Sequence, residues 1–467
     1  SYRSPDDKLV VGTVLGELAI SNSEIDLQKQ AVFVNELALK NTVAFAQLPA
    51  SEPKDTTAVP EPFAWPNWKL KLNKLKLVDN AIDLNVGGAF ETPNEFNPSN
   101  MRINGLQLLV EDVEFIHNTA KLDVKHLALK EKSGFVLNQL GLKVELNNDQ
   151  LIVWNLNLQT PFNQLGANVS VDYKSIDSLI QNPLSSSFNL DLTQANLSIQ
   201  DAYYFAPNLK DDSLLQDIVD YPLKLSGIVS GRMDEITIRN FKAIGLRSTQ
   251  LSLDGTIRGL PDTGAISVDI PNLKLSLTKK DLEIFIKEKE KTASIPDNMR
   301  LTASLKGGVK DLTTKLDLQT EKGNIGLSAN LKNLFGIPSA KGKLQLTNID
   351  VSALASVEEL ATVSLTLDFD ATGNALDNLI ANLDFAFQQL NFKQYDYSDL
   401  KLNVAADKQK ANVTAELHDE NLDFDLQLEA LLDTIKPAAN LFLNLRGVNL
   451  FALGVSSEDV RLGGDLK

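Results

Sequence analysis

The chain contains no cysteine. Disulfides, thiolate metal sites and cysteine nucleophiles are therefore excluded. Histidine is nearly as scarce: His117, His126 and His418 are scattered without metal-ligand spacing and read as ordinary surface or half-buried residues. No G-x-S-x-G, P-loop or G-x-G-x-x-G motif occurs. Gly307-Gly308 lies between two alternating runs and is expected to form a hairpin turn. No run of 18 or more apolar residues is present, so no segment reads as a membrane-spanning helix. Positive charge is in deficit, with 45 Lys and Arg against 61 Asp and Glu and a net charge of −16. That argues against nucleic acid, which needs clustered basic residues against its phosphates. It also argues against wide adhesion to an anionic membrane surface. Carboxylates are plentiful, but Asp423, Asp425 and Glu429 occupy the polar positions of an alternating run, as a solvated face does. No residue set supports an enzyme, and no cofactor or metal is implied.

Aromatics amount to only 6% of the chain, and leucine supplies most of the apolar surface. This is unusual for the structure that the pattern specifies. Asn421-Leu422-Asp423-Phe424-Asp425-Leu426-Gln427-Leu428-Glu429 alternates without a fault, and so do Val363 to Asp370 and Leu273 to Leu277. A period of two denotes a strand with one apolar and one wet face. The pattern continues along nearly all 467 residues. The phrase polar-x-Leu-x-Leu recurs, ending at Leu39, Leu77, Leu108 and Leu129, and Gln139-Leu140-Gly141-Leu142 is a close variant. Short Asn, Gly or Asp turns follow, which predicts an antiparallel meander of roughly thirty strands. A larger unit of strand, Gly turn and return strand begins at Leu225, Leu301 and Leu365, roughly 65–80 residues apart.

Helical segments are few. They are expected at Ser175–Asn182, Asp211–Asp220, Thr278–Lys291 and Asp350–Ala361, with Leu282, Phe285 and Ile286 on the apolar side of the third. Lys287 to Lys291 reads as its exposed, mixed-charge end. Pro49, Pro53, Pro60, Pro62 and Pro66 mark a loop, with Trp65 and Trp68 anchoring it where it rejoins the sheet. The expected segments are first strands over 1–48, a Pro-rich linker over 49–67, and sheet repeats over 68–224 and 225–467. Strand pattern begins almost at once, at Lys8-Leu9-Val10-Val11, and stops abruptly after Leu462, so both ends are expected to be cut from something longer.

So much one-sided sheet needs a cover. A sandwich would give a few strands per domain and then a boundary, and a β-helix would repeat every ~20–30 residues. The remaining solution is an open curled sheet, an apolar trough about 140 Å long at ~4.8 Å per strand. The predicted fold class is therefore all-β: an elongated, curled antiparallel sheet forming an open apolar groove, with a few short helices. Alkyl chains are its natural cover, at roughly 0.8 kcal/mol per buried methylene.

Several phrases then resemble a known family. Leu127-Ala128-Leu129-Lys130-Glu131 with Ser133-Gly134-Phe135 is similar to a signature of TamB proteins of Bacteroidota type. So are Leu158-Gln159-Thr160-Pro161-Phe162, Tyr203-Tyr204-Phe205-Ala206-Pro207-Asn208-Leu209, Arg239-Asn240-Phe241-Lys242-Ala243, and Gly255 to Asp262. The similarity spans most of 100–360. TamB belongs with AsmA-like and bridge-type lipid transfer proteins. The resemblance implies a periplasmic β-groove that bridges the inner and outer membranes and carries phospholipid. It also implies an N-terminal inner-membrane anchor and an outer-membrane β-barrel partner of the BamA or TamA type, both engaged through regions not recognisable here.

The candidate lipid-contacting residues are Leu70, Leu72, Leu75 and Leu77; Leu106 and Leu108; Leu251, Leu253, Leu273 and Leu275; Leu344, Leu346, Leu365 and Leu367; Phe385 and Phe387; and Phe424, Leu426, Leu441 and Leu443. Two other readings compete with a conduit. One is an assembly scaffold whose open sheet edges template strands of outer-membrane proteins. The other is a surface adhesin of stacked sandwiches.

Overall fold

The computed structural model describes residues 2–4, 9–50, 62–286, 295–355, 360–393, 395–431 and 437–467. Strands account for 65% of it and helical segments for 9%. Twenty-eight strands occur among the described residues, close to the number read from the alternation. The chain divides into two units, Ser1–Leu246 and Arg247–Lys467. Each is an open, curled, largely antiparallel sheet whose successive strands pair as hairpins. The strand Leu223–Arg232 therefore lies in the first unit, although the sequence pattern places the start of the later repeats at 225.

One pairing in the first unit departs from the meander. Lys69–Val86, an 18-residue strand, runs parallel to both Ala31–Lys40 and Val43–Leu48. Those two strands meet end to end along its flank. The Pro-rich crossover before residue 69 supplies the length that a parallel return requires. Asn80 seals the junction: its Oδ1 accepts from the Thr42 amide at 3.0 Å and its Nδ2 donates to the Leu39 carbonyl at 2.9 Å. Trp65 anchors the end of the crossover, packing on Phe115 with ring centroids 5.4 Å apart and donating from Nε1 to Asn148 at 2.6 Å. Trp68 is exposed. The centre of the Pro-rich segment, including Pro53 and Pro60, lies outside the described residues.

Bulges explain how the apolar face survives breaks in the alternation. All eight pairings from Lys69–Val86 to Glu235–Gly245 are interrupted once or more, each with a break at about the same level of the sheet. Asp79, Gly105, Asn155 and Asn240 take positive φ there, at 50°, 59°, 53° and 51°. Asn and Asp tolerate that region better than other side chains, and the extra residue restores the apolar set to its face after a shift of phase. Bulges bend strands, so a row of them across neighbouring strands creases the sheet. Ala167 and Ala195, on the apolar face beside the crease, are only 3% and 2% exposed. Their neighbours on the same face shelter them.

The helices are shorter than their patterns. Ile176–Gln181 forms with a capping box between Ser175 and Ser178. Ser213–Ile218 follows an N-cap at Asp212, whose carboxylate accepts from the Leu214 and Leu215 amides. The expected Thr278–Lys291 helix is described only as Lys279–Leu282, and Lys287 to Lys291 lie outside the described residues. Its apolar side is only partly sheltered, with Leu282 and Ile286 half-buried. Phe285 is exposed, whereas Asp281 is 1% exposed and caps the preceding hairpin. It accepts from the Arg247 and Ser248 amides, both at 3.1 Å, from Ser248 Oγ at 2.8 Å and from Thr249 Oγ1 at 3.0 Å. Four donors satisfy the buried carboxylate, so the chain turns here around an acid. The last helix is Val351–Ala355; Leu360 and Ala361 begin a strand instead, and Val357 lies outside the described residues. Gly307 and Gly308 end a strand rather than form its turn, which is Val309-Lys310. At Gly307, with φ +119°, a Cβ would sit 2.1 Å from the Asp311 carbonyl oxygen.

Candidate functional site

The strand registers align the leucines of the alternating phrases across each sheet. In the first unit one transverse row runs Leu18, Leu39, Leu77, Leu108, Leu127, Leu140, Leu158, Leu165, Ala195, Leu225, Ala243, each paired with the next. Eleven strands thus contribute only Leu or Ala to one line, about 48 Å long at ~4.8 Å per strand. Leu70, Leu72 and Leu75 stand on the same face opposite Phe115, Val113 and Val110. Leu106 lies opposite Asn80 beside the crease.

The second unit repeats the arrangement. Its longest row is Leu253, Leu273, Ala303, Leu316, Leu327, Leu344, Leu367, Phe385, Leu402, Ala415, Leu426, Leu443, Leu466. Thirteen strands contribute, and every position is apolar. A neighbouring row joins Leu251, Leu275, Leu301, Leu318, Ile325, Leu346, Leu365 and Phe387. Phe424 pairs with Leu417 and Leu445, and Leu441 with Leu428, on the same face. All the candidate residues of this unit therefore share one surface. Leu316, Leu327 and Leu402 belong to it equally and obey the same alternation, although they were not singled out from the sequence.

Among the described residues almost nothing covers this surface. Only sixteen apolar side chains are buried, five of them alanines, and of the largest side chains only Leu417 and Asp281 are essentially inaccessible. The accessible surface is 28400 Å² for 51.2 kDa, whereas a compact chain of that mass exposes about 17,000 Å². The excess matches sheets whose apolar faces meet no second layer of protein. Most of the leucines are half-buried, sheltered by neighbours along the rows and by the curl of the sheet.

The opposite face is polar and paired. Lys71 meets Glu114 at 2.8 Å, Lys341 meets Asp370 at 2.8 Å, Lys343 meets Asp368 at 3.3 Å and Lys401 meets Glu416 at 2.9 Å. Hydrogen bonding to the partner raises the Lys71 and Lys401 ammonium groups and lowers the Glu114 and Glu416 carboxyls. Two hollows of about 550 Å³ lie over this face and share Asp368 and Asp384. They are shallow and lined by these charged residues. Glu416, His418 and Asp425 bring candidate metal ligands within 4.8 Å of one another. Their carboxylates already hold Lys401 and Arg446, so the group reads as an exposed ion-pair network. Within it, the Arg446 guanidinium and then the His418 ring lower Asp423 to about 2.

Three phrases distant in sequence converge at one rim of the first unit. Phe135 packs on Phe205 and Tyr204 with centroid separations of 5.1 and 6.1 Å, and Phe96 on Phe205 at 5.3 Å. Gly134 takes φ +102°, and a Cβ there would sit in ordinary contact with the Tyr204 ring at 3.4 Å, so the backbone angle rather than the ring calls for glycine. Thr160 Oγ1 and Asn163 Nδ2 both donate to the buried Asp201. Glu131 accepts from the Arg102 and Ser133 amides at 3.1 and 2.7 Å. These phrases build a clamp that ties the 199–218 excursion to the sheet. No family model, curated protein or solved structure matches the chain.

Proposed function

We propose that the apolar faces of both units hold phospholipid acyl chains and that the protein carries phospholipid between membranes. The observation that carries this reading is the unbroken row of thirteen apolar positions with no second protein layer upon it among the described residues. An apolar surface of this extent exceeds the few hundred Å² that soluble proteins leave bare, so it calls for a partner. Alkyl chains suit it because leucine rows offer no chemically distinct stations. Burial then holds a tail, at roughly 0.8 kcal/mol per methylene, while leaving it free to slide. Headgroups would remain in water at the open side. The TamB resemblance supports the same reading. A periplasmic location, an inner-membrane anchor and a BamA- or TamA-type barrel partner rest on that resemblance alone.

A second reading is an assembly scaffold for outer-membrane β-barrels. It is favoured by the Glu17–Asp26 strand, which among the described residues pairs only with Ala31–Lys40, is exposed along nearly its whole length and leaves one backbone edge open. Mass spectrometry of lipids retained by the purified chain separates the two. The conduit requires abundant phospholipid that survives gel filtration. A lipid-free protein that captures unfolded barrel strands would favour the scaffold.

A further inference from the structure

Strand ends in the second unit fall on two rims of different chemistry. On one rim four turns lie side by side, joined by backbone hydrogen bonds. The Leu334 amide donates to the Val309 carbonyl at 2.9 Å, Gly373 to Pro338 at 3.0 Å and Lys408 to Leu379 at 2.6 Å. Large apolar side chains project from two of these turns: Phe335 is 80% exposed, Ile337 55% and Leu376 48%, with Ile380, the first residue of the following strand, at 51%. Each turn that bears them neighbours lysines, Lys310 and Lys332 on one side and Lys408 and Lys410 on the other, none with an ion-pair partner among the described residues. Asp311, Asp377 and Asp407 share this rim, leaving it near charge balance in a chain of net charge −16. On the opposite rim the 395–400 and 419–421 segments are acidic, with Asp396, Asp399, Asp419 and Glu420 against Lys393, while Lys279 and Lys280 stand near Glu321 and Lys322 further along it.

We infer that the rim built from residues 309–310, 333–338, 373–380 and 408–410 docks on the headgroup region of a phospholipid bilayer. Phe335, Ile337 and Leu376 lie on short turns outside the strands, so they can enter the boundary of acyl chains and headgroups without unfolding any strand. Phe335 supplies a ring of the kind that settles at that depth. The lysines then stand at the level of the phosphates, where each contributes attraction that salt screens. The two rims share one sheet, but the acidic 395–400 and 419–421 segments of the other are repelled by anionic lipid, which favours the rim with the apolar tips. A protein groove would seat such tips in concert, whereas their spread over two separate turns matches a planar, fluid acceptor.

The inference stands apart from lipid carriage, because docking on a bilayer needs no lipid on the sheet face. The test uses the full chain and vesicles of phosphatidylethanolamine and phosphatidylglycerol. The chain should float with vesicles at low salt, and a tryptophan placed by Phe335→Trp should shift to shorter emission wavelength on their addition. Replacing Phe335 and Ile337 by Ser should lower the bound fraction by roughly tenfold, whereas Phe451→Ser, at an exposed ring just after Asn449 and so beside the acidic 419–421 turn, should leave it unchanged. Absence of flotation, flotation unaffected by the double substitution, or unshifted emission from bound Phe335→Trp would each overturn the inference. So would a vesicle-free dimer that the double substitution dissociates, since the rim would then bind a second copy.

Discussion

Leu367 occupies the middle of the longest apolar row, between Leu344 and Phe385 on the adjacent strands. Replacing it with Asp puts a carboxylate where a sliding acyl chain would have to pass. The protein itself should tolerate the change. Leu367 is half-buried and open to the uncovered side, so losing part of its burial costs about 1–1.5 kcal/mol. Water reaches the new carboxylate from the same side. A lipid tail, by contrast, must strip that water away. Desolvating the charge costs several kcal/mol, and two or three methylenes lose their contacts at roughly 0.8 kcal/mol each. Together these slow passage by at least about a hundredfold, since 1.4 kcal/mol is a factor of ten. The assay is transfer of a fluorescent phospholipid between donor and acceptor vesicles by the purified chain, with circular dichroism to verify the sheet. Thr366→Asp, one residue away on the wet face, is the control and should transfer as the parent does. Undiminished transfer by Leu367→Asp, with the sheet intact, would refute the proposed role of this face.

Leu426→Asp should reproduce the block at a distant point of the same row, since Leu426 lies between Ala415 and Leu443. Asp281→Ala strands four donors and should destabilise the second unit by about 2 kcal/mol, read as an earlier urea midpoint; an unmoved midpoint would contradict the capping role. Burial pushes the Asp281 carboxyl up, but hydrogen bonds from Ser248, Arg247 and Thr249 outweigh it and leave it below its ordinary value of 3.8. Its stabilising contribution is therefore full above the ordinary carboxylate range and is lost as pH falls through the lowered folded value, so the effect of Asp281→Ala should fade in strong acid. Asn155→Val forces a β-branched residue to φ 53° and should cost about 1–2 kcal/mol, while Asn155→Gly should be close to neutral; equal effects would argue against a backbone origin. Arg446→Gln should raise Asp423 from about 2 towards the usual carboxylate range, followed by carboxyl NMR titration, and an unmoved value would show that Arg446 is not the cause.

The alternation made the fold class legible because each apolar residue keeps its face only while the period of two holds. The face could be read at Leu365 and Leu367, and equally at Phe424, Leu426 and Leu428, without knowledge of any pairing. Register was not legible in the same way. Leu39 and Ala243 share one row through nine successive pairings, and no local pattern fixes how far each strand slides against the next. The phase slips at Asp79, Asn155 and Asn240 were hidden for a related reason. An Asn or Asp between two alternating runs reads equally as a turn, and only the partner strand shows that the chain continues straight on. The parallel return of Lys69–Val86 depends on a crossover whose composition marks a loop but not its destination. The apolar periodicity after Thr278 could not reveal that Asp281 would find four donors at the neighbouring hairpin. The candidate site was legible as a set of residues. Its continuity from strand to strand was not.

The central claim is that hydrocarbon, not protein, covers the apolar face. Photocrosslinking tests it most directly. Benzoylphenylalanine placed in turn at Thr366, Leu367, Asp368 and Phe369 samples both faces of one strand in living cells. The account predicts phospholipid adducts at Leu367 and Phe369, both half-buried on the apolar face, and none at Thr366 and Asp368. Protein adducts at Leu367 and Phe369, or lipid adducts without that alternation, would contradict it.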